Sequence, residues 1–320
     1  KAIRRQRQMC IRDRYLGGIE AGGTKFICAV GEGGGKVLAK ERIETKVPDD
    51  TIPRVIEFFK SFQIDALGIG SFGPVDIDRK SSTYGSITST PKKGWRNYPF
   101  VRTMKEALQV PVGFSTDVNG AALGELYCGA AKGLDNCLYI TVGTGIGAGL
   151  VTDRGLFHGM SHPEMGHILP RRIEGDTFEG ICPYHRDCLE GLASGPAIEA
   201  RWGKPAGELP ANHQAWKIEA EYLAQALAQY ILILSPKRIV MGGGVMKQKQ
   251  LFPMIRRRVL ELLGGYIRLP EITQQIESYI VPPDLGDNAG ITGALILARR
   301  ALEAAGAAPE NDRPRSVTKS

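Results

Sequence analysis

The chain has 320 residues, 42% of them hydrophobic, and a net charge of +7. That length accommodates two domains with separate cores, and no run reaches the ~18 uninterrupted apolar residues of a membrane span. The charge is no footprint of nucleic-acid binding, because residues 1–14 alone hold +5 and leave +2 for the body.

Those first 14 residues, KAIRRQRQMCIRDR, carry neither helical nor strand periodicity and lack the apolar stretch of a secretion signal. MCIRDR reads as translated adaptor sequence, so the segment is set apart as a basic, disordered tail of cloning or assembly origin. Order is expected from Tyr15. The stretch LGGIEAGGTKFICAVGEGGGKVLAKERIET alternates apolar strands with glycine turns, giving three strands. Gly22 and Gly23 allow a ligand close to the backbone, Thr24 and Lys25 can donate to phosphate oxygens, and Glu20 can reach a magnesium ion through water. Many such hairpins are only turns, and the spacing is not that of a lysine-containing P-loop.

Ile52, Val55, Ile56 and Phe59 have helical spacing over 51–62, and ALGIGSFGPVD is a buried strand running into a turn. From Asp78 to Phe100 the sequence is irregular, as binding loops are. Within it, Trp95 is either a core plug or a stacking platform. VPVGFSTDVNGAALGELYCGAAKG then gives a short strand and an Ala-rich helix. Asp117 falls at their junction, either as the helix N-cap or as a general base. CLYITVGTGIGAGLV repeats the opening logic with Thr141, Gly143, Thr144 and Gly145, and the repeat predicts a duplicated domain with a nucleotide between the halves. A third glycine cluster, GGGVM with Gly243 and Gly244, follows the strand KRIVM and suits a flat nucleoside. Helices are expected over Gln214–Leu234, Met246–Leu263 and from about Asn288, with the chain frayed after Gly306.

Between the second and third glycine clusters lies HPEMGHILPRRIEGDTFEGICPYHRDCLEG. Cys182, His185 and Cys188 recur every third residue in a Pro-containing turn, and two thiolates with two imidazoles suit a closed tetrahedral structural zinc site. His167 is the expected fourth ligand, with His162 and His158 as alternatives. Buried thiols beside surface histidines are the competing reading. Glu164 and Glu190 flank the cluster, so a metal would fix two carboxylates on one loop. The other cysteines fall in apolar stretches without a disulfide framework, which fits a reducing, cytoplasmic setting.

These motifs together resemble the ROK family of sugar kinases over Tyr15 to about Ala305. GIEAGGTKF and TVGTGIGAGLV resemble its phosphate motifs, GGGVM its adenosine motif, STDVNGAALGE its catalytic-base segment, and EMGH and CLEG its sugar and zinc motifs. The Cys–His–Cys knuckle CPYHRDC and the opening GGIEAGGTKF are most similar to the fructokinase branch. Many relatives have Asn where this chain has Thr116. The resemblance implies an α/β, two-domain actin/hexokinase-like (ribonuclease H-like) fold with an inter-domain cleft. The small domain would span 15–116 plus helix 288–305, the larger one with the zinc loop 117–287, with tails at 1–14 and 306–320. It also implies ATP, Mg2+ and structural Zn2+, Asp117 as the base, Glu164, His167, Glu190 and Asn119 at the sugar, and a homodimer with no nucleic-acid or membrane partner. The expected reaction is ATP-dependent phosphorylation of a hexose, D-fructose foremost. Glucose, mannose or N-acetylhexosamine kinases and a non-catalytic sugar sensor are the alternatives. A DNA-binding regulator of this family would need a helix-turn-helix module that 14 residues cannot hold.

Overall fold

The computed structural model describes residues 15–32 and 35–307, and the expectations for 1–14 and 308–320 lie outside the described residues. The chain divides into two compact units, one up to Gly120 and again from Ile291, the other Ala121–Gly290.

The first unit opens with β1 (Tyr15–Ala21), β2 (Lys25–Glu32) and β3 (Val37–Glu44), an antiparallel meander, then α1 (Pro48–Lys60) and β4 (Ala66–Ser71). After the irregular segment come α2 (Phe100–Leu108), β5 (Val112–Thr116) and α3 (Asp117–Cys128), which carries the chain into the second unit. Sheet order is β3-β2-β1-β4-β5, with β1, β4 and β5 parallel. β1 and β4 are buried along almost their whole length, as strands covered on both faces must be, whereas edge strand β3 alternates exposed and part-buried residues over most of its length. One face packs Phe26, Phe59, Trp95, Phe100 and Phe114 into a core, and the other takes Leu295 and Ala298 of the C-terminal helix. Trp95 is 1% exposed and its Nε1 donates to the Lys46 carbonyl at 2.7 Å, so it is a core residue.

The second unit contains β6 (Cys137–Val142), β7 (Ile146–Thr152) and β8 (Gly155–Leu156), followed by α4 (Leu189–Ala193), α5 (Gly195–Trp202) and α6 (Ala215–Leu234). Then come β9 (Ile239–Gly242), α7 (Leu251–Leu263), the single turns α8 (Pro270–Thr273) and α9 (Ile276–Tyr279), and β10 (Ile280–Val281). α10 (Ala289–Ala307) leads back into the first unit. Sheet order is β10-β9-β6-β7-β8, the order of the first sheet, with β6, β9 and β10 parallel. The two sheets are therefore topological repeats. In the second unit the helices bury Trp216, Tyr222, Leu223, Leu227 and Ile255 against Leu138, Ile140 and Met241.

One expected helix is shorter than its periodicity predicts. Residues 245–247 form a 3-10 turn and α7 starts only at Leu251. Pro253 is the reason: in a helix running from Met246 it could not donate to the Lys249 carbonyl, whereas in a first turn no donor is needed. No described helix is long and apolar enough to cross a membrane.

Candidate active site

Three parallel strands of the first unit end in register, Ala21 beside Ser71 and Ser71 beside Thr116. Everything that follows β1, β4 and β5 is thus delivered to one sheet edge, where α/β sheets gather their ligands. After β1, Gly22 N donates to the Lys25 carbonyl at 2.9 Å and closes the turn. Thr45 braces it, its N donating to the Thr24 carbonyl at 3.1 Å and its Oγ1 to the Gly22 carbonyl at 2.9 Å. Gly22 and Gly23 are half-buried, Thr24 and Lys25 exposed, and Glu20 half-buried as the last residue but one of β1. After β5 stands Asp117, the first residue of α3. The helix cap is not Asp117 but Thr116, whose Oγ1 accepts from Asn119 N at 3.2 Å. Asp117 Oδ1 accepts from Val118 N at 2.8 Å. Asn119 is 1% exposed, and its Nδ2 donates to Ser115 Oγ at 3.0 Å.

In the second unit the other two glycine clusters meet. Gly143 N donates to the Gly145 carbonyl at 2.9 Å, and the Gly143 carbonyl accepts from Gly195 N at 2.7 Å, tying the β6–β7 turn to the start of α5. A Cβ on Gly143 would lie 3.7 Å from Gly244 N, so the two turns run side by side as bare backbone. Gly243 has φ +94° and faces the Val142 backbone so closely that any side chain would overlap it. Thr141 is half-buried on β6 and Thr144 exposed at the turn.

The same unit carries the cysteine–histidine cluster. His167, Cys182, His185 and Cys188 offer ligand atoms all within 4.8 Å of one another. Cys182 Sγ is 3.8 Å from His167 Nδ1 and 3.7 Å from His185 Nδ1, and Cys188 Sγ is 3.5 Å from His167 Nδ1. Tetrahedral zinc with ordinary Zn–S and Zn–N lengths requires S···N separations of about 3.6 Å, so the donor set fits the ion in kind and in spacing. Of the three histidines considered as fourth ligand, the structure brings His167. His158 is exposed and His162 is turned to Glu164, its Nδ1 3.4 Å from the carboxylate. The knuckle is a tight hairpin in which Cys182 and Arg186 exchange both backbone hydrogen bonds. Leu189 N donates to the Ile168 carbonyl at 2.8 Å, joining knuckle and EMGH segment.

Two carboxylates sit against this frame. Glu190 Oε2 accepts from Ile146 N at 2.9 Å, which fixes it at the mouth of the β6–β7 turn. Glu164 is half-exposed, and its pKa is raised first by loss of surrounding water and then by the charge of Glu190. Burial lowers the pKa of His162, which lies beside Glu164. The sequence reading missed what holds these groups. Gly166 lies against the Ile146 carbonyl where no side chain fits, and Tyr230 Oη donates to the Met165 carbonyl at 2.5 Å. The glycine of EMGH was the available signal for the first contact; nothing in helical spacing marks Tyr230.

The repeated sheets, the paired glycine turns and the carboxylates beside the cysteine–histidine cluster define an α/β chain of the actin/hexokinase-like fold. The ROK family model matches residues 16–301, and the chain belongs to the ROK family. A Bacillus subtilis (strain 168) protein is 59% identical over 295 residues, covering 92% of this chain and 99% of that protein. A Pediococcus pentosaceus protein named fructokinase is 44% identical over 288 residues, covering 90% and 99%. Among solved structures, a ROK hexokinase from Thermus thermophilus superposes with a TM-score of 0.73 at 26% identity, covering 91% of this chain and 99% of that one.

Proposed function

We propose that the protein transfers the γ-phosphoryl group of ATP to the 6-hydroxyl of D-fructose. The observation that carries this reading is Asp117: it stands at the sheet edge that also presents the Gly22–Lys25 turn, while Thr116 takes over the capping role. Fructose rather than another hexose follows from the 44% identity to the Pediococcus fructokinase.

In this reading Asp117 accepts the hydroxyl proton as the sugar oxygen attacks phosphorus in line with the departing ADP oxygen. Backbone N–H groups of the turns at Gly22–Lys25 and Thr141–Gly145 receive phosphate oxygens, and the bare backbone at Gly243 and Gly244 receives the nucleoside. Glu164 and Glu190 hold ring hydroxyls by charge-assisted hydrogen bonds, with Asn119 buried behind the base. His167 turns Nδ1 to the thiols and leaves Nε2 for the sugar. Glu20 offers a hard oxygen suited to holding magnesium, which when bound neutralises phosphate charge. Zinc at His167, Cys182, His185 and Cys188 would pin the sugar loop, as structural zinc does. A homodimer in the cytoplasm completes the reading.

Coupled ATP-consumption assays across a sugar panel, with NMR identification of products, test it. Fructose 6-phosphate is expected as the favoured product at low substrate. Glucose 6-phosphate formed faster overturns the fructose assignment, and an N-acetylhexosamine preferred to both moves the protein to another substrate class.

A further inference from the structure

Lys92 lies in the irregular segment between β4 and α2 and rests on the first glycine turn. A Cβ placed on Gly23 would meet Lys92 Cε at 2.8 Å and Nζ at 3.2 Å, so the lysine stem occupies the space the missing side chain leaves. Its backbone is fixed from both sides. Lys92 N donates to Thr90 Oγ1 at 3.3 Å, and Trp95 N donates to the Lys92 carbonyl at 3.1 Å. The Trp95 ring is locked among Phe26, Phe72 and Phe100. The ammonium stands 5.9 Å from the centroid of Phe72, the residue that follows β4 at the same sheet edge. Among the described residues it makes no ion pair, and what sets it apart from the other unpaired lysines of this unit is its seat over Gly23. A part-buried cation with a fixed backbone, its stem filling the gap over a glycine turn able to receive anions, is placed to meet a negatively charged ligand.

We propose that Lys92 is a further catalytic residue, binding the phosphoryl group as it is transferred. The inference rests on the reading of Gly22–Lys25 as an ATP-phosphate turn. As the sugar oxygen bonds to phosphorus, the bond from phosphorus to the bridging oxygen breaks. ADP leaves with the electron pair, and the sugar proton passes to Asp117. Charge gathers on the three non-bridging oxygens of the group in flight. The Lys92 ammonium donates to them and keeps its own protons throughout. Its place on the edge shared with Asp117 puts it at the reacting end of the nucleotide, and an ammonium on a four-carbon stem can follow the group as it moves.

The test uses the full chain with Lys92→Met and Lys92→Arg, read by kcat, KM for fructose and ATP, melting temperature, and calorimetric affinity for ADP and for the non-hydrolysable analogue AMP-PNP. Lys92→Met is expected to lose about 10²- to 10³-fold in kcat, the scale of one removed transition-state donor. Its fructose KM, melting temperature and ADP affinity should hold while AMP-PNP affinity falls, and Lys92→Arg should recover part of the rate. A kcat of Lys92→Met within threefold of wild type, an equal loss of ADP and AMP-PNP affinity, or a rate loss matched by a lower melting temperature in both variants overturns the proposal. A wild-type chain that phosphorylates no hexose instead overturns the reading of the site beneath it.

Discussion

Asp117 and Thr116 are neighbours with separable jobs, and a pair of substitutions separates them. Thr116 is 5% exposed and its Oγ1 receives the Asn119 N–H, so Thr116→Ala leaves a buried donor at the start of α3 unpaired. Losing such a cap costs about 1 kcal/mol, within a range of roughly 0.5–2. For units of this size that lowers the melting temperature by roughly 2–4 °C per kcal/mol. Asp117→Asn keeps the shape and an oxygen able to accept from Val118 N, so stability should stay within about 0.5 kcal/mol. Asparagine is no base, however, and turnover should fall by about 10²-fold or more, which is at least ~2.7 kcal/mol of transition-state stabilisation. Scanning fluorimetry and a coupled ATP assay on both variants give the four numbers. One result refutes the reasoning: Asp117→Asn turning over within a few-fold of wild type, since an amide cannot replace a general base although it caps a helix as well as a carboxylate does.

Two further expectations concern the second unit. Purified protein should hold about one zinc per chain, and either Cys182→Ser or prolonged chelation should remove it and lower the melting temperature, because a structural ion's binding energy is folding energy; elemental analysis showing no zinc, or Cys182→Ser keeping a full complement, contradicts this. Glu219 is 2% exposed, and burial, opposed by Arg201, raises its pKa well above the ordinary 4.5, so the folded state keeps a proton that the unfolded chain releases. Stability that this carboxyl permits is then lost as pH rises above about 4.5 toward its folded pKa, and Glu219→Gln should match wild type in acid and exceed it at pH 8; a variant less stable at pH 8 would mean that Glu219 is ionised and paired with Arg201.

What the sequence disclosed depended on how local the cause was. The strand–turn–strand units at 15–44 and 137–152 are written in apolar runs broken by glycine, and both formed. The cysteine–histidine cluster was legible because three of its members, Cys182, His185 and Cys188, lie within one turn, and only the approach of His167 rather than His158 or His162 needed the fold. The start of α7 at Leu251 was also written locally, in Pro253, but the helical spacing of the flanking apolar residues masked it. Glu125 shows the opposite limit. It is fully buried, and its carboxylate accepts from Ala130 N at 2.6 Å, Leu285 N at 3.0 Å and Asp284 N at 3.2 Å. Two of those donors are about 160 residues away in sequence, and no period or motif announces such a partner. Lys92 over Gly23 is the same kind of fact, a contact between a loop and a turn that only the folded chain brings together.

The repeat of topology explains how the functional groups are shared out. β1–β2 and β6–β7 hold the same place in their sheets, and each hairpin turns on glycine, so duplication supplies two glycine turns from one pattern. The strands in the next place, β4 and β9, end differently: β4 runs into Phe72 and the lysine-bearing segment, β9 into Gly242–Gly244. The fifth strands diverge most. β5 passes straight into a helix that begins with Asp117, whereas β10 is followed by Pro282 and Pro283, which cannot donate to a capping group. A carboxylate at the first position of the helix after the fifth strand is therefore available in one unit and absent in the other. The copy with the acid also carries Lys92, and the other carries Glu164 and Glu190 beside the cysteine–histidine cluster. The two halves of such a duplicated chain need differ only beyond the ends of their parallel strands to carry different side chains, Asp117 and Lys92 in one and Glu164 and Glu190 in the other, and the Asp117 and Lys92 substitutions test whether the proposed reaction depends on the first set.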